Sequence, residues 1–457
     1  MKKFWSVILL SCFIIALCAC NNTSENPADI EVETEPVYKD MDGTTFYIAT
    51  GWVNQFYPER VSTEWGERVR VRYDDIEQKF NCKIALLDIT ALNHSTFLTT
   101  SIAAASEIPE IFDIHAKDAF NYYKADMLMP YEELTSIDLS ETKWGPESFR
   151  QYGMFGGKSY GVFTYDWETM PELAGILLFN LEIMKEHGMT ENPHEMDEQG
   201  RWTWNDFTEL LKVSAFPEDE ITALGIDGGI DRFVKAAIFS NNGEILKKTG
   251  NNYSFGLTSP EAYAAMDWVT SLKTLGLTKV LTPENFVAKK CTFLACESWV
   301  GTHTDDWMAG KYPAANMKDY SLINMPIGPN GTKGEASAFV HTSRRLWWMP
   351  AAGDNDKEDW GMVMNEMFEP LEGSDHEAWK AMSKRLMFLY PEGYDNFVNC
   401  ADNAKYDYSV QLAAVNDKLN AALNKAYQGT ETPSAAIAAI TDLVETEITK
   451  QFTENEG

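Results

Sequence analysis

Flat rings placed near carboxylates are the chemically useful pattern in this chain. Trp52, Tyr165, Trp167, Trp299 and Trp348 fall at the ends of apolar runs or in the polar loops between them, and Asp113, His115, Asp118 and Asp166 fall in equivalent places. Such rings stack on the apolar C–H faces of a pyranose, while carboxylates and imidazoles exchange hydrogen bonds with its rim of hydroxyls. Taken singly, each tryptophan is as often a core or edge residue. Trp347 and Trp348 are adjacent, so in a strand only one of them can face a ligand. Asp113 and His115 share a strand face and can pair internally instead, the arrangement favoured for His115.

Catalytic patterns are missing. The seven histidines include no H-E-x-x-H and no paired spacing with cysteine, and there is no G-x-S-x-G and no Walker Gly-Lys. Asp354-Asn355-Asp356-Lys357-Glu358 imitates a calcium loop, but Asp359 stands where the turn needs Gly and Asn365 where the loop needs Glu. It reads as a solvated acidic turn. Two carboxylates across a cleft, as in a glycoside hydrolase, are compatible with the composition, but no spacing selects the pair. The expectation is a binding protein rather than an enzyme, with no cofactor and no metal.

The formal charge of −31 leaves no basic stripe to replace counterions, which argues against a nucleic-acid partner. Met1-Lys2-Lys3 followed by the apolar run Phe4–Leu17 is a secretory signal, since a helix rising about 1.5 Å per residue falls short of a bilayer core of about 30 Å. It ends in Leu17-Cys18-Ala19-Cys20, which looks like a bacterial lipobox with Cys20 as the lipidated residue, although Cys18 is unusual at its position. An Asn/Ser/Glu/Pro-rich stretch follows and reads as a leash. Cys12 and Cys18 leave with the signal, and Cys82, Cys291, Cys296 and Cys400 read as buried free thiols. Cys291 and Cys296 are expected on opposite faces of one strand.

About four hundred residues remain, more than one core usually supports, so two lobes are expected. Thr44–Thr50 alternates as a first strand with Gly51-Trp52 at its carboxyl end. A helix over Glu64–Phe80, a strand over Cys82–Leu87, a helix over Ser95–Ala105 and a strand over Ile108–His115 complete a βαβαβ order, hence a parallel doubly wound lobe. The pivotal stretch is Gly156–Gly188: a Gly-Gly turn, a strand with Tyr160, Val162 and Phe163, a polar aromatic loop Thr164–Trp167, the apolar run Ile176–Asn180, and a helix stopped by Gly188. It marks the crossing from one lobe to the other.

Several of these words together resemble the extracellular solute-binding proteins of ABC importers, family 1, the group of the maltose- and oligosaccharide-binding proteins. Gly157-Lys158, Tyr160-Gly161-Val162, Leu178-Phe179-Asn180 and Lys185–Gly188 are similar to that family's G-K-x-Y-G-V-P strand and following segment, with Phe163 in place of Pro. Ile102–Asp113 and Ala125–Leu134 resemble its next most specific block, with Asp126 in place of Gly. Arg201–Phe207 resembles its helix start, Phe286–Trp299 in part its helix and strand that deliver an aromatic residue, and Tyr320–Gly331 its return crossover.

The resemblance implies a type II periplasmic-binding-protein-like α/β fold: two doubly wound lobes joined by a multi-strand hinge, with a ligand cleft between them. The expected division is a signal over 1–19, an acidic tether over 20–42, lobe 1 over 43–160 plus 325–392, and lobe 2 over 161–324 plus 393–457. It further implies a carbohydrate ligand taken by hinge closure, permease subunits as partners, a monomer, and a lipid anchor on the outer face of the cell membrane. Peptide or another solute remains the alternative ligand, and a secreted glycan-degrading enzyme a more distant one. Trp52 and Trp299 match positions that stack on ligand in the family.

Overall fold

The computed structural model describes residues 38–56, 64–145, 147–164, 171–249, 252–302, 311–340, 345–371, 373, 379–381, 384 and 390–453. In chain order the principal strands are β1 (Thr45–Thr50), β2 (Lys83–Asp88), β3 (Ile111–His115), β4 (Gly161–Val162), β5 (Leu173–Asn180), β6 (Thr222–Ile226), β7 (Thr278–Val280), β8 (Cys291–Glu297), β9 (Tyr320–Asn324), β10 (Phe339–Val340) and β11 (Arg345–Trp348). They form two sheets. The first has the order β2-β1-β3-β11-β4, and the second β7-β6-β8-β5-β9, with β10 also paired to β5.

The first sheet follows the βαβαβ expectation: β1 runs parallel to both β2 and β3. Its helices Glu64–Phe80 and Ala116–Lys124 bury Val69, Tyr73, Ile76 and Phe80, and Ala119, Phe120 and Tyr122. Strands β11 and β4 then add antiparallel at the far edge. Since Val162 pairs with Trp347 and Gly161 with Trp348, Gly161–Val162 belongs to the first sheet, and the chain reaches the second sheet only with β5.

Strand β5 is central to the second sheet, and all eight of its residues are buried. Leu177 and Phe179 face one apolar cluster, while Ile176 and Leu178 face another. A strand covered on both sides reads as a continuous apolar run rather than an alternating one, which is what Ile176–Phe179 shows. The second cluster continues through Leu173, Val340, Tyr152 and Phe163 to Phe112 and Ile114, so apolar packing is unbroken where the chain passes between sheets. A strap at Ala404–Leu412 lies on this junction: Lys405 N–H donates to Ala338 O and Val340 N–H to Lys405 O. The Lys235–Asp407 ion pair, at 2.8 Å and almost wholly buried, ties the strap to the helix Ile230–Phe239. Tyr152 Oη donates to Val340 O and accepts from Asp407 N.

Local signals account for several of these element ends. Thr203 caps the helix Trp204–Val213 by accepting from Asp206 N, and Ser259 caps Pro260–Thr274 with Pro at its first position. The acidic turn at Asp354–Glu358 is a helix start, where the Asp356 carboxylate accepts from the Glu358 and Asp359 N–H groups. Cys82, Cys291, Cys296 and Cys400 are all buried and unpaired with one another. Cys291 and Cys296 join the same apolar cluster rather than dividing between faces. Among the described residues no helix is long and apolar enough to cross a membrane.

Candidate functional site

Open α/β sheets bind ligands beyond the carboxyl ends of their parallel strands, where the loops diverge. At that end of the first sheet, β1 delivers Trp52 and β3 delivers Asp113 and His115. Asp113 is buried at 2% exposure and receives Arg345 Nη1 on Oδ2 at 2.6 Å and Gly51 N–H on Oδ1 at 3.3 Å. Burial raises the Asp113 pKa, opposed by Arg345 and by the Thr50 and Gly51 hydrogen bonds. Arg345 lies opposite His115 in the register of β11 and β3. Its guanidinium carbon sits 3.6 Å from the Trp52 ring centroid, so the cation covers one face of the indole. His115 meets Trp52 edge-on at 5.6 Å, and His94 is 6.1 Å away, its Nε2 against Ile89 O. His115 Nδ1 is 3.7 Å from Asp118 Oδ2.

At the corresponding end of the second sheet, the register shifts between Cys296 and Glu297 as β8 leaves β5. A bulge of this kind re-aims the residues that follow it. It is accommodated by Gly175 at φ +83°, where a Cβ would lie 2.6 Å from the Ala236 Cβ, so no other residue fits there without displacement. Ser298 then locks the exit: its N–H donates to Leu173 O, and its hydroxyl accepts from Leu173 N and donates to Pro171 O. Trp299 follows, half-buried, with Tyr312 at 5.1 Å in a tilted pair. The Trp299 indole N–H donates to Glu297 Oε2, and Arg232 closes on Glu297 Oε1.

Asp227 completes this wall. It follows β6, and its N–H donates to Ala295 O at 2.9 Å, which places it beside Cys296 on β8. Its carboxylate makes no hydrogen bond or ion pair among the described residues. Desolvation is the largest influence on it and Glu284 adds to the effect, while Arg232 opposes; together they raise its pKa from 3.8 to about 6. The two strand-end clusters present indole and phenol rings, carboxylates and guanidinium groups. Among the described residues, no group of histidine, cysteine and carboxylate side chains could hold a metal ion.

No protein-family model matches the sequence, and no curated protein matches it either. Solved structures do match. The cyclic alpha-maltosyl-1,6-maltose binding protein from Arthrobacter globiformis superposes with a TM-score of 0.64 at 13% identity, over 89% of this chain and 100% of its own. The sugar-binding protein MalE from Xanthomonas citri gives 0.60 at 14%, over 91% and 100%. UgpB from Mycobacterium tuberculosis, in complex with glycerophosphocholine, gives 0.60 at 13%, over 90% and 99%. The fold is that of the type II periplasmic binding proteins.

Within this binding-protein fold the sequence-based candidates separate. Trp52 and Trp299 stand at carboxyl ends of strands in different sheets, as expected of them. Trp348 does not: it is fully buried, donates its indole N–H to Ile114 O at 3.0 Å and stacks on Phe155 at 5.9 Å. Trp347 is buried too, edge-on to Phe56 at 4.9 Å, so neither of the adjacent pair reaches a ligand. The physical reason is that β11 lies inside its sheet between β3 and β4, covered on both faces. Asp113 is likewise a support for Arg345 rather than an open acceptor. Tyr165, Asp166 and Trp167 lie outside the described residues. Sequence reasoning missed Arg345, His94, Arg232, Glu297, Tyr312 and Asp227. For Asp227 a signal existed, because an acid between the apolar run Ala223–Ile226 and Gly228-Gly229 is a strand end opening into a helix.

Proposed function

We propose that this chain is the substrate-binding protein of an ABC importer, anchored by a lipid on Cys20 outside the cell membrane, and that it captures a carbohydrate by hinge closure. The placement of Trp52 and Trp299 carries the reading: one indole at the carboxyl end of a strand in each sheet, each beside a carboxylate–guanidinium pair. A ligand touching both walls only when they approach shifts the open–closed balance by its differential affinity for the closed form. Trp299 and Tyr312 supply ring faces, and Asp227 accepts ligand hydroxyls. The closed monomer then docks on permease subunits and hands over its cargo unchanged, with no cofactor. The solved structures of the same fold include a sugar-binding protein, a cyclo/maltodextrin-binding protein and a cyclic alpha-maltosyl-1,6-maltose binding protein, which supports carbohydrate over peptide or another solute.

A thermal-shift screen of the mature chain against mono- and oligosaccharides, peptides and polyamines tests this, because a ligand bound by the native state raises stability by mass action. Saturating stabilisation by a saccharide recovered intact is the expected result. Stabilisation by a peptide or polyamine alone would reassign the ligand. A second reading, a glycan-degrading enzyme, draws on Asp227, a strand-end carboxyl whose pKa is raised by burial, as a general acid requires. Chemically altered sugar in the same screen would select it.

A further inference from the structure

Apart from the strand-end clusters, the two sheets are joined by a polar chain that is buried along its whole length. Lys235 stands on the helix Ile230–Phe239, whose Ala236 closes on Gly175 of β5 in the second sheet. Its ammonium donates to Asp407 Oδ2 at 2.8 Å and to Ser409 Oγ at 3.3 Å, while Asp407 Oδ1 accepts from Ser409 N–H at 3.0 Å. Asp407 N–H donates to Tyr152 Oη at 3.3 Å, and that hydroxyl donates in turn to Val340 O at 2.6 Å. Tyr152 is fixed to the first sheet, because Gly153 beside it lies so close to the Gly161 carbonyl of β4 that a Cβ would overlap it. Lys235, Asp407, Ser409 and Tyr152 are each exposed by 2% or less, so no ligand reaches them.

A ladder of rings runs alongside. Tyr152 meets Tyr406 at 4.2 Å, Tyr406 meets Tyr408 at 4.1 Å, Tyr408 meets Tyr253 at 5.3 Å, and Tyr253 stacks on Phe452 at 3.8 Å. Tyr152 and Tyr406 belong with the apolar cluster that reaches Phe112 and Ile114 of β3, whereas Tyr408, Tyr253 and Phe452 pack on the one that holds Leu177 and Phe179 of β5. Ladder and polar chain therefore make the same crossing. A hydrogen bond between buried partners is costly to open, since neither group finds water when it breaks. The strap is held at one end by an ion pair and at the other by a single hydroxyl.

We propose that this strap is a tie that restrains the two sheets from swinging apart, and that Tyr152, Asp407 and Lys235 thereby set ligand affinity from outside the site. The affinity half rests on the binding-protein reading above. Capture by closure draws the closed form from the open ensemble. Widening that ensemble lowers the closed fraction and weakens binding in proportion, with every ligand contact unchanged.

The experiment sets the mature wild-type chain beside Tyr152→Phe, which keeps the ring in its ladder and removes only the hydroxyl. Small-angle X-ray scattering without ligand should give Y152F the larger radius of gyration. Calorimetric titration with maltose, maltotetraose and xylotetraose should give it a Kd about 5- to 20-fold weaker for the sugar that binds, the scale of a conformational coupling. Saturated with that sugar, the two chains should have the same radius. A merely structural tyrosine would lower the urea midpoint and leave the ligand-free radius and the Kd at their wild-type values, and that result overturns the tie. If Y152F does not fold, Lys235→Met combined with Asp407→Asn cuts the tie at its other end and keeps an acceptor for Ser409 N–H. Both shifts should recur in that double variant, and wild-type values there overturn the tie equally. Failure of every sugar to bind the wild type removes the receptor reading, while the ligand-free radii still decide the tie.

Discussion

The two walls use the same three components, an indole, a guanidinium and a carboxylate, and wire them differently. On the first wall the guanidinium of Arg345 covers the Trp52 ring and satisfies Asp113, so acid, base and aromatic face are used up within the protein. On the second wall Arg232 and Glu297 grip Trp299 through its N–H, an in-plane contact that leaves ring orientation fixed without spending a guanidinium on the face. Asp227 beside it makes no hydrogen bond or ion pair among the described residues. The difference teaches which wall is pre-organised support and which carries an unmet electrostatic demand. Binding free energy comes from demands that the ligand, rather than the protein, satisfies.

Four measurements break or sharpen that contrast. Replacing Arg345 by Met strands a buried Asp113 charge, so unfolding free energy in urea should fall by about 3–5 kcal/mol, and Asp113→Leu in the same chain should recover most of it. An unaffected midpoint would mean that the first wall is not self-satisfied. Next is the pH dependence of stability on the second wall. The folded-state pKa of Asp227 is raised from 3.8 to about 6, so the native state holds the proton more tightly, and the stability this confers is present below pH 4 and lost as pH rises through 6. The wild type minus D227N difference should therefore change by about 2 kcal/mol between pH 4 and 7. The subtraction matters because burial lowers His194 from 6.5 to about 4, which removes stability as pH falls through the same window.

Third, Trp299→Ala should cost about 100-fold in saccharide affinity, as a buried aromatic anchor does, with little change in the unfolding midpoint. Undiminished affinity would remove Trp299 from the site. The smallest effect is expected at Trp52→Phe, which keeps a ring under Arg345 and weakens a cation–π contact worth roughly 0.5–1 kcal/mol. Its effect on affinity should be less than tenfold by the same titration. A loss as large as that for Trp299 would show that the first wall stacks on the ligand after all.

The fold was legible wherever periodicity and end signals are local. The Thr203 and Ser259 caps and the parallel β1–β3 unit follow from residues within a few positions of each other. The edges of the lobes were less so: nothing local in Gly161–Val162 shows that it pairs with Trp347 and Trp348, nearly two hundred residues later in the chain. The site was legible by type more than by residue. Trp52 and Trp299 sit where a strand end and a family-like motif put them. Trp348 did not follow, because an aromatic residue in an interior strand and one at a strand end look alike in sequence.

The sequence by itself determined the strand and helix alternation, the acidic charge and the supply of aromatic residues, since each depends on composition or on neighbours along the chain. Tertiary structure alone decided which acid is satisfied and which is not. Arg345 reaches Asp113 across 232 positions of sequence, whereas among the described residues the cation bearing on Asp227 is Arg232, already bound to Glu297. Whether a charge is matched depends on what the fold brings within a few ångströms of it and how much water the fold removes, and neither is written in the order of residues.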